Sequence, residues 1–380
     1  MSGLKKRKRI DEIDIIKGLG ILCVAAGHSG APFEHFIYMF HMAVFFIASG
    51  FFFKAENASS LRLLGQSFLK KVKEIWVPYI IWNTIFILLN NVFIRINVYT
   101  DNPALGEYVE EKYAGINNYM SLAQMLPIIR KGFFLIEGSK IAGAFWFLAS
   151  LLCIQLLYLS VDFILQKISA KYADLLQLLV SGLLLGCGYY CSIQRLYIYG
   201  FAKVASFYCL YYLGHMLSRK IDLFVQMKWF HWLPIGIISF AVLYFMSLAG
   251  SISFAQVRYG NPVFMLTASL LGWFMLYSIS YFLKQIPLTK KPLIIIGKRT
   301  LSVVIFHFLV FKLVAAVIVR YYGIPAFCIA AFPHLFGNRG LWWLAYTIVG
   351  VCVPVILNFF YHKVTDFCKA SFKSIASPGM

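Results

Sequence analysis

The segment Asp14-Ile-Ile-Lys17-Gly-Leu-Gly-Ile-Leu-Cys-Val-Ala-Ala-Gly-His28 decides how this chain is read. It is apolar apart from an acid, a lysine and a histidine, and these three residues are spaced for a single helical stripe. At about 100° per residue, the eleven steps from Lys17 to His28 turn a helix through roughly 1100°, or three turns plus about 20°. They separate the two side chains by about 16 Å along the axis. Asp14 falls on the same stripe. A cation or imidazole within a bilayer is costly unless it faces a bundle interior or a wet cavity, so the stripe is expected to line a functional site.

Outward from this segment the chain stays apolar. Hydrophobic residues make up 61% of its 380 residues and charged residues 13%, and apolar runs long enough to cross a bilayer recur along the whole length. This pattern predicts an all-α integral membrane protein, a polytopic bundle of about ten transmembrane helices. The expected spans lie near 11–31, 35–54, 75–97, 141–166, 173–191, 197–217, 229–250, 262–284, 298–319 and 340–362. With no internal repeat or low-complexity tract, residues 1–380 read as one membrane domain, with spans over 11–362 and cytoplasmic tails at 1–10 and 363–380. The longest loop, 98–140, carries Asp101, Glu107, Glu110, Glu111, Lys112, Arg130 and Lys131. Its second half is expected to form an interfacial helix, as a lid or acceptor platform.

Placing the basic start, Lys5 to Arg9, in the cytoplasm lets the remaining cations be assigned to sides. About 23 of the 35 Lys and Arg then fall on the inner face, about nine on the outer, with Lys17, Lys203 and Lys312 inside spans. The net charge of +20 is thus largely an inner-face property. Membrane insertion and attraction to anionic lipid explain it, and a polyanionic cytosolic ligand is the alternative. Dispersal of the cations over six short segments argues against nucleic acid. The N-terminus imitates a secretory signal, but Lys17 interrupts the apolar core and a second span follows at once, so a retained first helix is expected. The eight Cys show no metal-ligand spacing and read as small apolar fillers.

The second span begins after a short outer loop, so His41 is expected beside His28 at similar depth, about 28 Å above Arg9. His28, His41, Glu34 in the connecting turn and Lys17 below them form a candidate proton-handling cluster. The plainer readings are an interfacial His28, a solvated Glu34, and a Lys17 that snorkels or pairs with Asp14. Trp146 and Ser49 have the same ambiguity between pocket lining and, respectively, an aromatic belt and close helix packing. His307 and Lys203 are intramembrane polar groups without an evident place.

Several stretches resemble a known family in its own order. They are Asp14-x-x-Lys17-Gly-x-Gly with ten residues between the lysine and His28, then Phe45-Phe46-x-x-Ser49-Gly50-Phe51, then Lys70-Lys71-Val-Lys73-Glu-Ile-Trp-Val-Pro78-Tyr79. Phe145-Trp146-Phe147-Leu148 and Gly297-Lys-Arg-Thr300-Leu301 with His307 complete the series. Together they resemble the membrane acyltransferase 3 family, most closely its fucose 4-O-acetylase-like branch, in which Lys commonly opens the signature. The resemblance implies a ten-helix enzyme of a bacterial cytoplasmic membrane, with both termini cytoplasmic. Such an enzyme moves an acyl group, usually acetyl from acetyl-CoA, onto a sugar hydroxyl of an envelope glycan or lipid-linked saccharide.

On that reading His28 is the base, or an acyl-carrying nucleophile, and Lys17 holds the donor or stabilises developing oxyanion charge. Asp14, His41, Ser49, Trp146 and His307 support them. The phosphates of acyl-CoA dock near Arg62, Lys70, Lys71, Lys73, Lys298 and Arg299, and no metal or permanently bound cofactor is needed. Lys70 and Lys73 stand where many relatives have an Arg-x-x-Arg pair, which weakens a bidentate phosphate role. A secondary transporter or glycan flippase using intramembrane Lys and His stays open as the rival class.

Overall fold

The computed structural model describes residues 10–110, 115–136, 138–196, 198 and 200–376; the basic run Lys5 to Arg9, Glu111 and Lys112 lie outside them. The chain is helical throughout, and two isolated bridges are the extended pairings among the described residues. α1 (Asp11–Gly27) leads through α2 (Glu34–Tyr38) to α3 (His41–Phe51). α4 (Leu61–Lys71) continues through a π-helical turn, Val72–Trp76, into α5 (Val77–Leu88) and α6 (Asn90–Arg95). The wide turn has a local cause: Pro78 lacks an N–H and its ring crowds the carbonyl four residues back, which a π turn relieves.

After α7 (Leu122–Phe133) come α8 (Phe145–Ser169), α9 (Ala173–Ile193), α10 (Phe201–Arg219), α11 (Ile221–Gln226) and α12 (Trp229–Ala249). α13 (Pro262–Leu283), α14 (Pro287–Lys298), α15 (Thr300–Tyr322) and α16 (Trp342–Ala376) complete the chain.

Seven helical segments among the described residues are long and apolar enough to cross a membrane: Glu34–Phe51, Phe145–Ser169, Ala173–Ile193, Trp229–Ala249, Pro262–Leu283, Thr300–Tyr322 and Trp342–Tyr361. The three other expected spans are also helical, but differ in length or polarity. α1 has 17 residues and an acidic first turn, the 75–97 segment breaks between α5 and α6, and α10 carries Lys203, His215 and Arg219. α9 and α12 are peripheral and expose Leu178, Leu179 and Leu183, and Ile237, Phe245 and Leu248, as suits a hydrocarbon solvent.

Glycines set the positions of the central helices. A methyl group at Gly50 of α3 would lie 1.9 Å from the Tyr211 carbonyl oxygen of α10, and one at Gly297 of α14 would lie 1.9 Å from the Asp14 carbonyl oxygen of α1. Both crossings therefore have backbone on backbone. The first turn of α1 is pinned by its acids, with Glu12 2.5 Å from Lys284 and Asp11 2.8 Å from Lys290.

The expected helix in the second half of 98–140 exists as α7, with a capping box at Ser121. It lies along α5: Asn91 donates to the Met120 carbonyl at one end (2.8 Å) and the Trp76 indole to the Phe133 carbonyl at the other (3.2 Å). Those anchors are fifteen residues apart on the α5 side, about 22 Å of helix, so α7 runs antiparallel to α5 for its whole length.

Candidate active site

His28 ends α1, its backbone N–H bonded to the Val24 and Ala25 carbonyls (3.2 Å each). The half-buried imidazole stacks on His307 of α15, with ring centroids 5.6 Å apart and planes at 24°. Phe308 lies 5.0 Å and Tyr38 6.2 Å from it. On its open side is a cavity of about 280 Å³, lined also by Tyr38, His41, Phe45, Trp146 and, from the loop between α12 and α13, Gln256.

Local structure fixes each of these groups. The short connection 28–33 turns at Gly30 (φ +78°), and the Tyr38 hydroxyl donates to the Gly27 carbonyl (2.5 Å), tying α2 to the end of α1. This holds His41 beside His28, as the depth argument expects. His41 Nδ1–H donates to the Ile37 carbonyl (2.9 Å), which leaves Nε2 as the acceptor of a neutral ring. His307 repeats the arrangement with the Val303 carbonyl (2.8 Å); its Nε2 is buried without a hydrogen-bond partner among the described residues.

Asp14 and Lys17 lie toward the other end of α1 from His28, in different surroundings. Lys17 Nζ is 3.9 Å from the Asp14 carboxylate and 6.0 Å from the ring centroid of Phe52, at the far end of α3 from His41. Neither Lys17 nor Asp14 lines the His28 cavity, and Glu34 does not line it either. Ser49 accepts from Gln155 Nε2 (2.6 Å) between α3 and α8, outside the cavity wall.

The six basic residues considered for donor phosphates are split over two places. Arg62, Lys70 and Lys71 are on α4 and Lys73 is in the π turn, in a segment packed against α8; Lys70 and Lys71 each approach Glu74 at 3.9 Å. Burial pushes the Lys71 ammonium below its ordinary value, a shift that Glu74 partly offsets and Lys70 reinforces. Lys298 and Arg299 are at the α14–α15 junction, and α14 packs on α1 and α16. There Arg299 lies over the Phe359 ring at 5.8 Å.

Three groups at or beside the cavity were not singled out from sequence. Tyr38 is one turn before His41, a spacing that could have flagged it. Gln256 comes from a loop with no helical period. His334 is buried in another irregular segment; it accepts from the Gly337 N–H (3.1 Å) and abuts Gly30, where a methyl group would lie 2.8 Å from its Nε2. Lys203 now has a place, on the wall of a second cavity that shares Trp146 with the first.

The fold thus places a histidine on the wall of a small chamber inside an apolar helical bundle, with two further histidines beside it. The chain belongs to the acyltransferase 3 family: the family model described as "Acyltransferase domain" matches residues 10–359. No curated protein and no solved structure matches it. Family membership and the seven apolar helices together indicate a multi-pass membrane acyltransferase.

Proposed function

We propose that the protein is an O-acyltransferase that moves an acyl group, acetyl in the simplest case, from cytosolic acyl-CoA to a sugar hydroxyl of an envelope or surface glycan. The observation that carries this reading is His28 on the wall of the 280 Å³ cavity, with His41 and Trp146 on the same wall and His307 stacked against it. In the proposed reaction His28 accepts the proton of the sugar hydroxyl as the oxygen attacks the thioester carbon. A C–O bond forms, the C–S bond breaks, and the departing thiolate takes up the proton that His28 collected. Phe308, with its ring centroid 5.0 Å away, packs beside the imidazole and helps to hold it in place. Trp146 offers a flat apolar surface to the sugar ring.

With about 16 Å of helix between Lys17 and His28, Lys17 suits donor binding better than oxyanion stabilisation. The cations at Arg62, Lys70, Lys71, Lys73, Lys298 and Arg299 attract the donor's phosphates, and acyl-CoA is a substrate rather than a resident cofactor. The inner-face excess of basic residues supports ten helices crossing a bacterial cytoplasmic membrane with both termini inside. The lysine at the head of the signature favours the fucose 4-O-acetylase-like branch. A transporter built on the same Lys and His would need a sealed membrane and would leave the thioester intact. Purified protein in detergent, given acetyl-CoA and a glycan acceptor, is therefore expected to release free thiol together with acetylated glycan. Transport in vesicles without thioester cleavage would overturn the proposal.

A further inference from the structure

The second cavity, about 340 Å³, is lined by Tyr79, Ser139, Phe145, Trp146, Ser150 and Lys203, among others, and no carboxylate among the described residues is on its wall. Among the described residues its one charged lining residue is Lys203, on the first turn of α10. Lys203 Nζ is 5.9 Å from the ring centroid of Trp146, and no carboxylate pairs with it among the described residues. The N-terminus of α10 opens here too, through Gly200 (φ +80°) and Val204, so its positive end adds to the lysine's charge.

The wall around Ser139 is firmly built. Ser139 N–H donates to Asn83 Oδ1 (3.0 Å), the Ser139 and Tyr99 hydroxyls bond at 2.7 Å, and Ile141 N–H donates to the Tyr99 hydroxyl (3.0 Å). A preformed chamber whose lysine has no carboxylate partner among the described residues is matched by an anionic ligand.

Trp146 turns this chamber into part of a larger site, because the same indole borders the His28 cavity. We propose that the Lys203 chamber seats an anionic group, a carboxylate or a phosphodiester, on the acceptor glycan. The charged unit sits beside Lys203 while a neighbouring sugar, lying over Trp146, presents its hydroxyl to His28. The seat thus deepens the glycan-acceptor reading above and rests on it. It narrows the acceptor to an acidic saccharide of at least two units.

The test is equilibrium binding to purified full-length protein, without turnover. The probes are a uronate-containing tetrasaccharide, its carboxyl-reduced neutral counterpart, and a glycerol-phosphate oligomer. Wild type is expected to bind at least one acidic probe about 10- to 100-fold more tightly than the neutral one, the range of a hydrogen-bonded charge. Which acidic probe wins tells carboxylate from phosphodiester. Lys203→Gln is expected to abolish the preference and Lys203→Arg to keep most of it, both with acetyl-CoA affinity unchanged.

The seat is overturned if folded Lys203→Gln retains the preference, if no acidic probe is preferred, or if phosphatidylglycerol in nanodiscs displaces the glycan while phosphatidylcholine does not. The last result would make the occupant a lipid headgroup. Failure of acyl transfer in a protein that shows the Lys203-dependent preference would count against the acyltransfer reading alone.

Discussion

Replacing His28 by alanine separates chemistry from architecture, because the side chain borders an existing cavity. Truncation enlarges a 280 Å³ space instead of opening a new one in packed core, so the loss of stability should stay near 1 kcal/mol. The rate should respond far more strongly. A positioned general base contributes about 10²–10⁴-fold, which corresponds to about 2.7–5.5 kcal/mol of transition-state stabilisation. His307→Ala should show the opposite balance. His307 is fully buried, bonded to the Val303 carbonyl and packed 4.0 Å from the Phe308 ring, so its removal should destabilise the fold by about 2–4 kcal/mol. The assay pairs thermal unfolding in detergent with thiol release from acetyl-CoA in the presence of acceptor. Rapid quenching with labelled donor should leave no label on wild-type protein if transfer is direct, and label lost in His28→Ala if an acyl-histidine forms. Near-normal glycan acylation by folded His28→Ala would refute both routes and make this histidine structural.

Neutralising Lys70, Lys71 and Lys73 together should raise the acyl-CoA KM more than it lowers kcat, since charges that meet the phosphates first contribute equally to ground and transition states; an unchanged KM in folded protein would return these lysines to lipid binding. Added salt should mimic part of the effect, because Lys70 and Lys73 are exposed. Gly297→Val should destabilise by about 3 kcal/mol, since backbone faces the new side chain at 1.9 Å, whereas Gly65→Ala, with nothing within 4 Å of a new methyl group, should be neutral or stabilising by up to about 1 kcal/mol. Unfolding curves of the two variants decide this; equal stabilities would contradict the tight α1–α14 crossing. Cysteine accessibility should place both termini and the 54–74 loop inside and 98–140 outside; an outer terminus would remove the ten-span arrangement.

The helices were legible because apolar runs and the 3.6-residue period are properties of single segments. The proximity of His28 and His41 was legible too, since only a short turn and the one-turn helix α2 separate them. The stacking of His28 on His307 was not, because it joins α1 to a helix hundreds of residues later, and no local period reports which helices become neighbours. His334 and Gln256 are in irregular segments, where side-chain direction depends on the loop path alone.

Lys17 is the more instructive case. Its shared face with His28 suggested a shared role, yet the arithmetic that put them on one stripe also put them about 16 Å apart. The fold gives each end of α1 its own surroundings, Phe52 at one and the imidazole cluster with Trp146 at the other. On the proposed reading, that separation assigns the two residues to successive parts of one path. Lys17 stands where the donor arm passes and His28 where its acyl end meets the sugar, so α1 measures the distance between donor entry and transfer. Substituting Lys17 should therefore weaken donor binding without changing the preference among acceptors, whereas changes around Trp146 and Lys203 should alter acceptor choice and leave donor affinity alone.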